Sequence, residues 1–167
     1  MTRLAALLLM TLWLGGCSLF SSSETPRERD PLHDLGRQVA HTLAEKAPWA
    51  EASTPDILLL PPTTIDQFFP APVGHFREAL LRAMLTSSST LQVLAWPDAT
   101  PPGELQADQW QLLTRLDAGK ALHLTDRTLY PYTLALTLYH GHQPAPVWQH
   151  TLRGALDASA LNETRRY

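Results

Sequence analysis

The sequence predicts an α/β (α+β) domain: a small mixed sheet of about four to five strands with three to four helices, ending in an antiparallel meander. Two patterns carry this. An apolar run, Ile57 to Leu60, is followed by a helical pattern and then by a second apolar run, Leu91 to Trp96. Strand, helix and strand in that order imply a crossover with parallel pairing. Further along, Leu134, Leu136 and Leu138 alternate with Thr133, Ala135 and Thr137, which is the period of a half-buried antiparallel strand.

The chain begins with one basic residue, Arg3, and an uncharged apolar stretch, Leu4 to Leu14. That length suits the apolar region of a secretory signal and falls short of the ~20 residues a spanning helix needs. Gly15 and Gly16 follow, and directly after them stands Cys17, the only cysteine of 167 residues. A lone thiol can serve neither an internal disulfide nor a four-ligand zinc site. Leu14-Gly15-Gly16-Cys17 resembles the bacterial lipobox, and the resemblance implies cleavage after Gly16 and acylation of Cys17. Several acyl chains exceed the two-signal requirement for stable attachment without a spanning segment. Ser18 is not the aspartate that signals inner-membrane retention in enterobacterial-type sorting, so the resemblance implies the outer membrane, with the domain facing the periplasm.

The organisation expected is therefore a signal peptide over 1–16, a lipidated cysteine and flexible tether over 17–30, a periplasmic domain over 31–156 and a polar tail over 157–167. The tether after Cys17, SLFSSSETPRERD, can reach at most ~45 Å when fully extended. With a formal charge of −3 and interspersed signs, nothing marks a nucleic-acid partner.

Within the domain, Asp30-Pro31 starts a helix to about Ala47, with Leu32, Leu35, Val39 and Leu43 on one face. ILLL, bounded by prolines, suits a strand buried on both faces. A second helix carries Phe76, Leu80, Ala83 and Met84, and LQVLAW is the next strand. Leu105, Gln109, Leu112 and Leu116 fall on one helical stripe ahead of Gly119, which predicts a third helix from about Leu105 to Ala118. Strands follow over Ala121 to Leu129, Tyr132 to His140 and Pro146 to Leu156, with Trp148, Leu152 and Leu156 turned towards the helices.

No residue carries a catalytic assignment. There is no nucleophile elbow, HExxH helix, phosphate loop or dinucleotide turn, so neither an enzyme nor a cofactor is expected. His140 and His142 could converge at a turn, but no further ligand completes a metal shell. A triad from Asp66, His75 and Glu78 with Thr63 or Thr64 is weaker than their service as helix caps. Phe68 and Phe69, stiffened by Pro70 and Pro72, are the candidate partner-binding residues, with core cover as the competing role.

The order of these elements resembles the LpoB family of outer-membrane lipoprotein activators of penicillin-binding proteins. DILLLPPTTIDQ before FREALLRAML, then LQVLAWPD, YTLALTLYHG and PVWQHTLRGAL carry the resemblance, over Pro31 to Leu156. It implies a folded domain that docks on a class A penicillin-binding protein. The chain departs from that pattern in its short tether and in Pro61-Pro62-Thr63-Thr64 after the first strand. The alternative on the same architecture is a structural or assembly lipoprotein of the envelope, of the TolB amino-terminal, curli or flagellar accessory type.

Overall fold

A computed structural model describes residues 31–51, 56–65, 69, 73–87 and 91–157. Among these residues two α-helices lie against one face of a seven-stranded mixed sheet. Helix α1 spans Pro31–Lys46 and a 3-10 turn follows over Pro48–Glu51. Strands β1 (Ile57–Leu60) and β2 (Thr64–Ile65) precede helix α2 (Val73–Ser87). Then come β3 (Gln92–Ala95), β4 (Gln109–Ala118), β5 (Leu122–His123), β6 (Thr128–His140) and β7 (Trp148–Asp157). Cys17, the tether and the tail beyond Asp157 lie outside the described residues, and Asp157 itself closes β7.

The seven strands occupy five positions. β1 lies between β3 and β4 and is parallel to both. Thr64 and Ile65 pair with Arg115 and Leu116 of β4, which places β2 on the flank of β4 that β1 also uses. On its other flank β4 is antiparallel to β6, from Trp110 opposite His140 to Ala118 opposite Tyr132. β5 pairs with the first residues of β6, and β7 runs antiparallel along β6's far side. β1, α2 and β3 therefore form the expected crossover and β6 with β7 the last two strands of the expected meander, whereas the strand expected over Ala121 to Leu129 is broken by the turn between β5 and β6.

The third helix expected over Leu105 to Ala118 is instead the central strand β4. Trp110, Leu112, Thr114 and Leu116 alternate with the period of a strand as regularly as Leu105, Gln109, Leu112 and Leu116 fit a helical stripe, and the first four are buried. Between parallel β1 and antiparallel β6, a strand satisfies the backbone groups of both neighbours, and that tertiary gain overrides the helical pattern. Leu105 is buried in the preceding loop rather than on a helix. The same loop is held to the outer face of the sheet by Gln111, which is 0% exposed. Its Oε1 accepts from the Thr100 N–H at 2.7 Å and its Nε2 donates to the Thr100 carbonyl at 2.8 Å.

The core fills the space between helices and sheet. Leu32, Leu35, Val39 and Leu43 of α1 join Phe76, Leu80 and Met84 of α2 over Leu58, Leu60, Leu112, Leu116, Leu134, Leu136 and Leu138. The helices touch closely at Gly36. A Cβ there would stand 2.8 Å from the backbone of Ala79 and Leu80, so only glycine admits this approach. At the other end of α1, Trp49 packs edge-on against Trp110 with ring centroids 5.7 Å apart. Trp110 stacks on His140 at 3.9 Å and donates its indole N–H to Asp56 at 2.8 Å. That aromatic knot ties the carboxyl end of α1 to the start of β1, β4 and the end of β6.

Candidate interaction surface

Among the described residues β3 is an edge of the sheet, pairing with β1 alone. The N–H of Gln92 donates to Asp56 at 2.9 Å and that of Trp96 to Leu60 at 2.9 Å. In a parallel ladder the bonded residues alternate, so Val93 and Ala95 turn their N–H and C=O groups outward. Val93 lies on the buried core side, opposite Leu58. Leu94, opposite Leu59, lies on the other side and is 43% exposed, and Trp96 beyond it is 37% exposed.

Helix α2 borders the core side of this edge. Arg77, Leu81 and Leu85 recur every four residues along one stripe, and the Arg77 guanidinium donates to the Trp96 carbonyl at 3.2 Å. Leu81 packs partly on the core, whereas Leu85 is 57% exposed. The edge thus carries outward backbone donors and acceptors, with Leu94 and Trp96 on one side and Leu85 on the other. A strand laid along it gains main-chain hydrogen bonds and apolar contacts, the arrangement that strand addition uses.

The residues singled out in the sequence fare differently. Phe69 is 8% exposed and belongs to the core, which corrects its expected place on a partner-facing surface. Its ring gains more by covering apolar neighbours than by standing in water. Phe68 and Asp66 lie outside the described residues. Thr63 is buried and its hydroxyl shares a 2.8 Å hydrogen bond with Thr114, while Glu78 accepts from Arg82 at 2.7 Å and His75 is exposed. Thr63, His75 and Glu78 thus have separate surroundings rather than a shared site.

The histidines are likewise spread out. His140 is taken up by its stack on Trp110, His150 stacks on Trp148 at 5.6 Å, and His123 faces the Thr128 hydroxyl at 3.2 Å. Among the described residues no three histidine, cysteine, aspartate or glutamate side chains converge. None of their helices is long and apolar enough to cross a membrane. The residues that sequence reading missed are Leu94 and Trp96. LQVLAW carries apolar residues on both faces, a signal that fits an edge strand with something to cover it as well as it fits a buried one.

No family model matches the chain, and no curated protein matches it. Several solved structures are similar to it. The LpoB carboxyl-terminal domain from Escherichia coli is 9% identical, over 75% of this chain and 97% of that one, with a TM-score of 0.48. The corresponding domain from Salmonella enterica is 9% identical over 72% and 93%, at 0.46. A lipoprotein from Neisseria meningitidis is 10% identical over 63% and 85%, at 0.44. The family whose likeness the sequence carries is thus among the solved structures similar to this chain.

Proposed function

We propose that the chain is a lipid-anchored protein of the bacterial envelope, seated in the outer membrane, that works by binding another envelope protein rather than by catalysis. The observation that carries this is the β3 edge, with its outward Val93 and Ala95 backbone and its exposed Leu94 and Trp96. Proteins ordinarily shield such edges with charge, proline or a covering element; here Leu94 and Trp96 stand exposed beside Arg77, and among the described residues no strand pairs with the outer side of β3. The lipobox-like LGGC supports the anchor. The LpoB-like order of elements in the sequence supports a regulator of peptidoglycan synthesis whose partner is a class A penicillin-binding protein. With at most ~45 Å of tether, that partner must extend outward through the wall or share the membrane.

Ala95→Pro tests the edge directly. It removes one outward donor and leaves the bonds of Leu94 and Trp96 to β1 intact, and edge strands tolerate proline at such a position. The variant should stay folded and lose its stimulation of glycan polymerisation by a purified class A synthase from the same cell. Full stimulation would remove β3 from the contact. If the unaltered chain neither binds nor stimulates any such synthase, the assembly-lipoprotein alternative takes the activator's place.

A further inference from the structure

Two leucines far from β3 stand exposed on the hairpin formed by β5 and β6. Leu122 is 51% exposed and Leu124 is 52% exposed. The hairpin closes tightly, with the Leu124 N–H donating to the Arg127 carbonyl at 2.8 Å. Leu122 pairs with Leu129, and residues two apart share a face, so the two exposed leucines lie together beside half-buried Leu129.

The place of this hairpin follows from the topology. Trp49, just past α1, packs on Trp110 at the start of β4, so the carboxyl end of α1 is at that end of the sheet. Helix α2 returns from the end of β1 to the start of β3, against the strand direction, and crosses α1 at Gly36. The amino end of α1 therefore lies at the opposite end, where β4 runs out at Ala118. β6 extends beyond that point to Thr128, so the hairpin projects from the end at which Pro31 receives the tether.

We infer that the β5–β6 hairpin is a membrane contact, with Leu122 and Leu124 seated in the interfacial region of the bilayer that holds the lipid anchor. This rests on the reading that Cys17 is acylated. Thirteen residues of tether keep the domain within ~45 Å of the membrane, and the tether joins the end that carries the two leucines. The charges around them are balanced. Arg127, the one lysine or arginine between Leu122 and Leu129, lies 2.7 Å from Asp126 and 4.0 Å from Asp157, so its charge is matched by acidic partners. Apolar insertion rather than attraction to anionic lipid would hold the hairpin, and it should persist at high salt.

The test separates this from the anchor itself. A chain covering residues 18–167 with an amino-terminal hexahistidine is recruited to phosphatidylethanolamine–phosphatidylglycerol vesicles through a nickel-chelating lipid, independently of acylation. Cys17 is the only native cysteine, so Leu124→Cys and Gln143→Cys each give one site for an environment-sensitive dye. On the vesicles the dye at position 124 should shift to the blue and brighten several-fold, in low and high salt alike, and the dye at 143, in the turn at the other end of β6, should not. Equal responses at both sites overturn the inference, whatever mass spectrometry finds at Cys17 of the native chain. A dye at 124 that is already shielded without vesicles, in a sample that sediments as a dimer, also overturns it and makes a second copy the occupant.

Discussion

Gly36 shows how one absent methyl group sets the distance between two helices. Alanine is the better helix former by ~1 kcal/mol, but its Cβ would meet backbone atoms of α2 at 2.8 Å. Backbone cannot swing aside, so overpacking wins. Gly36→Ala should destabilise the fold by ~1–3 kcal/mol in urea unfolding, whereas Gly74→Ala, with nothing within 4 Å, should be neutral or gain up to ~1 kcal/mol. Tyr132 gives a second prediction. Its ring lies over Gly154, whose added Cβ would meet the phenol oxygen at 2.6 Å, and burial pushes the phenol above its ordinary value of 10.0. The folded state then holds the phenolic proton more tightly than the unfolded chain does. Its contribution is whole below the unfolded value and is lost as pH rises through the folded one. Tyr132→Phe should therefore flatten the fall in urea midpoint above about pH 10. Neither close approach was legible in the sequence, because a glycine's neighbours across space leave no mark on its neighbours in the chain.

At the scale of elements, α1, β1, α2, β3 and the β6–β7 meander were legible because each repeats one period with clear stops, such as Pro48 after α1 and Gly141 after β6. β4 was not. LQADQWQLLTRLDAG satisfies a helical stripe through Leu105, Gln109, Leu112 and Leu116 and a strand alternation through Trp110, Leu112, Thr114 and Leu116, and only the partners on either side decide between them. The edge position of β3 was hidden for a related reason, since strand order is fixed by the crossover and not by the strand's own residues. The Thr63–Thr114 hydroxyl pair ties the chain just before β2 to this central strand, and both residues are buried. Thr114→Val alone should cost ~1–3 kcal/mol, because Thr63 is left with a buried hydroxyl and no partner. Adding Thr63→Val should recover part of that loss, giving a coupling of at least ~0.5 kcal/mol in a double-mutant cycle. Strict additivity would mean the hydroxyls do not depend on each other.

Across the whole molecule, the amino end of α1, the β5–β6 hairpin and Asp157 gather at one end of the sheet, and the aromatic knot of Trp49, Trp110 and His140 closes the other. Our proposal sets the first end against the membrane and leaves the β3 edge open along the side. It requires the anchor: Cys17→Ala should leave an unprocessed or soluble species, and a mature chain without acyl mass would remove the membrane from the account. The proposed contact residues were the part least legible in the sequence, since Phe69, a candidate for partner contact or for core cover, is core, while Leu94 and Trp96 drew no expectation beyond a strand and stand at the rim. The most direct test places a photoreactive benzophenone amino acid at Leu94 in living cells, with the same probe at exposed Gln149 on the opposite edge strand as the comparison. The account predicts one dominant adduct from position 94, with a single larger envelope protein, and none from position 149; adducts at 149 with none at 94 would contradict it.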